Sequence, residues 1–182
     1  MRSARFRWTT VVLICALAAF AAGRSVSAQP PAMQRLYDPK GRFSIEYPAA
    51  WKMTVHIADV GTVYSGVSPA GYVDVSVGEG VSYASAQEFA QRIEPKYREA
   101  HPTYRSLQQG RTTIAGQDAY YIYYTVTDKG IETYEIRVYV RTAPPQGPAR
   151  VFWLSGGTLN RPEQVRDNFP LILQIIQSFR PA

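Results

Sequence analysis

AYYIYYTVTDKGIETYEIRVYVR, residues 119–141, is the stretch whose reading decides the fold. Two runs of β-branched and aromatic residues flank Asp128-Lys129-Gly130, which is the signature of a long β-hairpin. Tyr120, Ile122, Tyr124 and Val126 are the more apolar set of the first run. Tyr134, Ile136, Val138 and Val140 are the matching set of the second. All eight positions are even. If the two sets share a face, facing partners sum to an even number and the loop holds an odd number of residues. A three-residue loop at Asp128-Lys129-Gly130 fits, as a type I turn closed by Gly130 in a left-handed bulge. The expected register sets Tyr124 opposite Tyr134 and Ile122 opposite Ile136. It gathers Tyr121, Tyr123, Arg137 and Tyr139 on the other face.

Strands are expected on both sides of this hairpin. Upstream, residues 104–107 and 111–114 flank a turn at Gly110, and Gly116 marks a second turn. Asp38-Pro39-Lys40-Gly41 reads as a turn, with proline presetting φ and glycine free to take φ > 0. Phe43, Ile45 and Tyr47 alternate with Ser44 and Glu46, the period of a half-buried strand. Residues 52–57 and 61–67 continue the pattern. Val73, Val75 and Val77 alternate with Asp74 and Ser76, and Gly78 and Gly80 close that strand. Downstream, residues 144–148 are a loop and residues 150–155 a strand, which Ser155-Gly156-Gly157 ends.

Two helices interrupt the strands. Ser85 with Glu88 three residues later is a capping box. Ala86, Phe89, Ala90, Ile93 and Tyr97 form one apolar stripe. Pro95 lacks an amide donor, so a kink or break is expected near Glu94. The C-terminal segment starts with Pro162 in a first helical turn. Pro170 implies a restart after Asp167-Asn168, with a main helix to about Phe179. Strands, helix, strands, helix is the order of an α+β domain on an antiparallel sheet.

The first residues fit a cleavable secretory signal peptide, residues 1–28. Arg2, Arg5 and Arg7 precede twelve apolar residues at 11–22, too few for a bilayer core, which needs roughly 20. Val26-Ser27-Ala28 offers small residues at the positions a signal peptidase reads; a cut after Ala21 is the alternative. Residues 29–35, with Pro30 and Pro31, read as a flexible tether before one domain at 36–182. The whole chain of 182 residues carries +6, from 20 Lys and Arg against 14 Asp and Glu. Four of those arginines (Arg2, Arg5, Arg7, Arg24) leave with the leader, so 16 basic residues then face 14 acidic ones. That near balance argues against nucleic acid, which needs a concentrated basic face. The one cysteine, Cys15, also lies in the leader, so the mature domain has no disulfide. It is expected to be periplasmic or extracellular, without a transmembrane span.

Phe43-Ser44-Ile45-Glu46-Tyr47-Pro48-Ala49-Ala50-Trp51 resembles the opening of PsbP-like domains, an alternating strand followed by Tyr-Pro-x-x-Trp. Ser85-x-x-Glu88-Phe89 is similar to the start of that family's first helix. Ile114-Ala115-Gly116 before an aromatic hairpin, and Ile175-Ile176-Gln177-Ser178-Phe179 at the close, resemble its later elements. The likeness covers nearly all of residues 36–180 and implies an α/β/α sandwich with a central antiparallel sheet flanked by helices. Plant members are extrinsic subunits that dock on photosystem II and help retain calcium and chloride. The resemblance therefore implies docking rather than catalysis. No ligand motif of the family is matched residue for residue, so no metal or cofactor is carried over.

Chemistry in the residues themselves is sparse. His56 and His101 are the only histidines and have no ligand spacing; a metal site would need them joined by acids such as Asp59 or Asp74. No nucleophile elbow of the Gly-x-Ser-x-Gly kind is present. Glu132 and Glu135 fall on opposite faces of their strand. No catalytic, cofactor or metal residue is assigned. The candidate interaction surface is Tyr121, Tyr123, Arg137 and Tyr139, since tyrosine and arginine join apolar area to a polar tip. The reading that follows is a non-enzymatic extracytoplasmic binding or assembly factor with a protein or membrane-complex partner. An exported carboxylate-dependent hydrolase and a small-ligand or metal carrier are the alternatives.

Overall fold

The computed structural model describes residues 31–58, 61–79, 83–143 and 149–182. The expected leader at 1–28 with Cys15, the loop at 144–148, and Asp59 and Gly80 lie outside them. Pro31–Ala182 is one compact unit.

The elements are β1 (Met33–Tyr37), β2 (Phe43–Pro48), β3 (Lys52–Ala58), β4 (Gly61–Ser68), β5 (Gly71–Glu79), α1 (Ala86–Ala100), β6 (Arg105–Ile114), β7 (Gln117–Asp128), β8 (Ile131–Thr142), β9 (Arg150–Leu159), α2 (Pro162–Gln177) and β10 (Arg180–Pro181). Seven strands form an antiparallel sheet in the order β3-β4-β5-β9-β8-β7-β6, and β1-β2-β10 form a smaller one. Helix α1 covers one face of the large sheet. Helix α2 and the small sheet cover the other. Each face has its own core: Phe89 and Ala90 of α1 meet Tyr120, Ile122, Tyr124, Tyr139 and Val151. Ile172, Ile175 and Ile176 of α2 meet Val73, Val75, Val138, Phe152 and Leu154, with Phe43 and Ile45 of the small sheet.

The hairpin register differs from expectation by one residue. Asp128 pairs with Ile131, Thr125 with Tyr134 and Ile122 with Arg137. Lys129 (φ 49) and Gly130 (φ 80) both adopt the left-handed conformation of a two-residue type I′ turn. Even residues of β7 therefore share a face with odd residues of β8. The expected register rests on placing the two more apolar sets on one face. Both faces are buried, so each strand gives its aliphatic set to a different layer. A one-residue slip moves every side chain across the sheet.

Other boundaries shift for related reasons. The expected tether is already paired from Met33, which faces Pro48. Gly110 is inside β6 rather than in a turn, and a Cβ there would lie 3.1 Å from the ring of Tyr121, which covers it. The second expected turn, at Gly116, is present, with Ala115 (φ 50) and Gly116 (φ 75) both left-handed. Helices α1 and α2 run unbroken through Pro95 and Pro170. Both prolines are exposed, and so are Gln91 and Arg166, whose carbonyls lose the amide partner. Water can satisfy those carbonyls, which lowers the cost of the missing bond.

Strand β9 also passes straight through Ser155-Gly156-Gly157 instead of ending there. These glycines serve close packing. A Cβ on Gly156 would sit 2.5 Å from Cγ2 of Ile172, on the α2 side. A Cβ on Gly157 would sit 2.6 Å from Cγ of Glu135, on the α1 side. Gly156→Ala should therefore destabilise the domain by about 1–3 kcal/mol through overpacking, readable by urea unfolding.

The β1–β2 turn is held by a buried ion pair. The Asp38 carboxylate accepts from Arg42 Nε (2.7 Å), Arg42 Nη2 (2.9 Å) and the Arg42 backbone amide (3.0 Å). The Tyr64 hydroxyl donates to it as well, tying the turn to the large sheet. Burial by itself raises the Asp38 pKa, but the hydrogen bonds from Arg42 and Tyr64 outweigh it and bring it down to about 2. Asp38 is thus more acidic folded than unfolded. Its stabilisation is complete above the unfolded value of 3.8 and is lost as pH falls toward 2. Unfolding free energies measured down this acid limb should fall in the native protein. Asp38→Asn should lack that component and lose about 3–5 kcal/mol at neutral pH, because the buried Arg42 guanidinium loses the Asp38 carboxylate.

Candidate functional site

The chemistry concentrates under α1. Its start is fixed by sequence: Ser85 Oγ accepts from Glu88 N (3.1 Å), and Glu88 Oε2 accepts from Ala84 N (2.8 Å). From this start the helix lays Ala86, Ala90 and Glu94 on one line toward the sheet, four residues apart. Glu94 is therefore the acid that the apolar stripe carries inward, and it is buried.

Below it, Arg137 projects from β8 with its side chain only 8% exposed. Arg137 Nη1 donates to Glu94 Oε1 at 3.3 Å, and Nη2 donates to the Tyr124 hydroxyl at 3.0 Å. The Arg137 guanidinium lies 3.7 Å from the centre of the Tyr97 ring, a stacked cation–π contact. Tyr139 (3.1 Å) and Tyr104 (2.6 Å) donate their hydroxyls to Glu94. Glu135, directly across from Tyr124, accepts from its hydroxyl at 2.5 Å and from Thr133 at 2.6 Å. Burial, with Glu135 adding to it, pushes the Tyr124 hydroxyl far above the ordinary phenol range. Burial also raises Tyr104 and Tyr139, to which the nearby Glu94 carboxylate adds. Burial opposes the charge on Arg137, but the surrounding phenol oxygens raise its pKa above the ordinary value. The network thus holds protonated phenols and a charged guanidinium between two carboxylates.

Helix α1 is narrower than the sheet, and open space remains on both sides. Toward β9 lies a groove of about 280 Å³ with Phe89, Ile93, Tyr97 and Trp153 as apolar walls and Arg137 and Ser155 in it. Toward β6 lies a cleft of about 340 Å³ over Ala90, Tyr120 and Ile122, edged by Gln91, Arg98 and Gln109.

The four residues expected to form one surface are divided by the register. Arg137 and Tyr139 are buried under α1. Tyr121 and Tyr123 are half-buried on the α2 face, where Tyr123 meets Phe169 at 5.9 Å between ring centres. The His101 ring lies tilted against Tyr97, 4.2 Å between ring centres. Among the described residues, no group of three or more His, Cys, Asp and Glu could hold a metal ion. Sequence reasoning missed Glu94, Tyr97, Tyr124, Glu135 and Trp153. For Glu94 a signal existed, an acid in phase with Ala86 and Ala90.

A central antiparallel sheet with a helix on one face, and a helix and small sheet on the other, settles the architecture against known structures. The domain has the PsbP-like fold. LpqN, involved in cell envelope biogenesis of Mycobacterium tuberculosis, is similar with a TM-score of 0.61 and 12% identity, over 83% of this chain and 91% of that one. Cyanobacterial PsbP of Synechocystis sp. PCC 6803 has a TM-score of 0.60 and 14% identity, over 88% and 99%. The Ran-binding protein Mog1p of Saccharomyces cerevisiae has a TM-score of 0.56 and 11% identity, over 82% and 95%. No family model matches the sequence, and no curated protein matches it. Among the described residues no helix is long and apolar enough to cross a membrane.

The PsbP-like core depends on the ion pair under α1. Glu94→Ala should cost about 3–5 kcal/mol, because Arg137 is left buried and unpaired. The double variant Glu94→Leu/Arg137→Met should recover a large part of that loss in the same unfolding assay, since it removes both charges together.

Proposed function

We propose that this chain is a non-enzymatic binding or assembly factor, exported by a leader cut after Ala28, that docks on a protein or membrane complex outside the cytoplasm. The observation that carries the reading is the contrast under α1 between a saturated polar network and an open aromatic groove. Glu94 accepts three hydrogen bonds that hold α1 on the sheet, and Glu135 accepts two from within the sheet, so both carboxylates are already engaged. Beside them, Phe89, Ile93, Tyr97 and Trp153 leave an apolar recess that can take a side chain of a partner. Exposed aromatic recesses of this kind supply anchor points in interfaces. The described residues share their fold with a Ran-binding protein and with a protein involved in cell envelope biogenesis, which is in keeping with this reading.

The tagged domain from Gln29 onward, incubated with envelope extract, should retain a defined partner. Ser155→Phe fills the groove without removing a core contact. It should keep the native melting temperature and lose at least nine-tenths of the retained partner. Undiminished capture by Ser155→Phe would remove the groove from the reading. Turnover of an ester, amide or glycoside by the purified domain would instead support the hydrolase alternative.

A further inference from the structure

The outer strands of the large sheet are β3 and β6. An outer strand carries a row of unpaired amides and carbonyls that invites another strand, and proteins blunt it with charge, proline or a bulge. Strand β6 is blunted in this way. Its pairing with β7 slips at a bulge between Ser106 and Gln108, and Arg105 and Arg111 stand exposed along it. Strand β3 is not. All seven residues from Lys52 to Ala58 pair with β4 in unbroken register. The run Lys-Met-Thr-Val-His-Ile-Ala holds no proline, and its one full charge, Lys52, is at the end.

Val55 is at the middle of this edge. It shares the α2 side of the sheet with Tyr64 directly opposite and with Met53 two residues back. Tyr64 is buried and Met53 packs against the core, yet Val55 is 55% exposed, because no strand lies on its other flank.

A second copy of the chain fits this edge. A two-fold axis perpendicular to the sheet sets two β3 strands antiparallel and keeps both α2 sides together. Residues that face each other then come from the same side, so odd positions meet odd positions. One such register pairs the whole strand: Lys52 with Ala58, Met53 with Ile57, Thr54 with His56, and Val55 with Val55 of the second copy. Met53 and Val55 meet apolar residues and Thr54 meets a polar one. The two lysines lie at opposite ends, so no like charges face each other. A chain freed of its leader is close to neutral, so the copies do not repel at a distance either.

We propose that the domain self-associates through β3 into a two-fold dimer with one continuous sheet, in which Val55 of each copy packs on its mate at the axis. The contact is the same patch on both copies and closes at two. One strand pair is small beside a permanent interface, so the dimer forms and dissociates with concentration.

The test is sedimentation of the purified domain from Gln29 onward. Its mass should rise from one copy to two as concentration goes from micromolar to submillimolar. Val55→Lys puts two ammonium groups at the axis and Val55→Glu two carboxylates. Each variant alone should stay monomeric, with the melting temperature of the dilute native protein, since the position is exposed. Mixed in equal amounts they should associate again, because only then do opposite charges meet across the axis. Ile131→Lys, at the similarly exposed hairpin tip (57%), should dimerise as the native protein does. The proposal is overturned if the native domain stays monomeric or grows beyond two copies, if either Val55 variant dimerises alone, or if their mixture does not. A monomeric native domain whose capture of the envelope partner is lost in Val55→Lys overturns it in favour of a strand from that partner. Capture that survives in Val55→Lys while the dimer is lost supports it, and the docking reading stands apart.

Discussion

The guanidinium of Arg137 is the point on which the α1 layer rests. A charge this deep in a domain is tolerated only where its surroundings answer it. Here the answer comes from three elements at once: Glu94 and Tyr97 from α1, Tyr124 from β7, and Tyr139 and Tyr104 through Glu94. The helix cannot roll or slide without breaking several of these contacts. Its fixed height over the sheet is what leaves defined spaces on either side. The shape of both recesses follows from that fixed height.

The sheet beneath is asymmetric because its two faces solve different problems. The α2 face is aliphatic and closes tightly, with Gly156 clearing the way for Ile172. The α1 face is rich in phenols and closes only along the helix line. Phenols suit such a face because each offers apolar area to the core and a hydroxyl to the network. Burial of those hydroxyls is compensated by carboxylates that are themselves bridged to Arg137.

Much of the fold was legible in the residues. Alternation in Phe43–Tyr47 and Val73–Val77, the capping box at Ser85 and Glu88, and Pro162 at a helix start all appear where local pattern placed them. The architecture followed from their order. What was not legible depended on the second layer. The aromatic hairpin reads as having one apolar face only if one face is covered; with two covered faces, parity of the apolar set no longer fixes the register. Gly110, Gly156 and Gly157 look like strand ends because glycine has no side chain to advertise a partner. Their purpose appears only when Tyr121, Ile172 and Glu135 are seen across from them. The candidate site was built on the register and is divided by it: Arg137 and Tyr139 stay together under α1, while Tyr121 and Tyr123 fall on the α2 face.

The small sheet carries a consequence of another kind. The Glu46 amide donates to Ser178 Oγ at 2.8 Å, and Arg180 pairs with Ser44, joining positions more than a hundred residues apart. Such a contact forms only after a long conformational search. During synthesis β2 must wait until Arg180 and Pro181 have been made before its second edge is satisfied. A chain interrupted short of Arg180 would present a bare strand edge beside Phe43 and Ile45, the kind of surface that draws other strands. Two residues of backbone pairing, Arg180 and Pro181, thus decide whether β2 is an inner strand or an exposed edge.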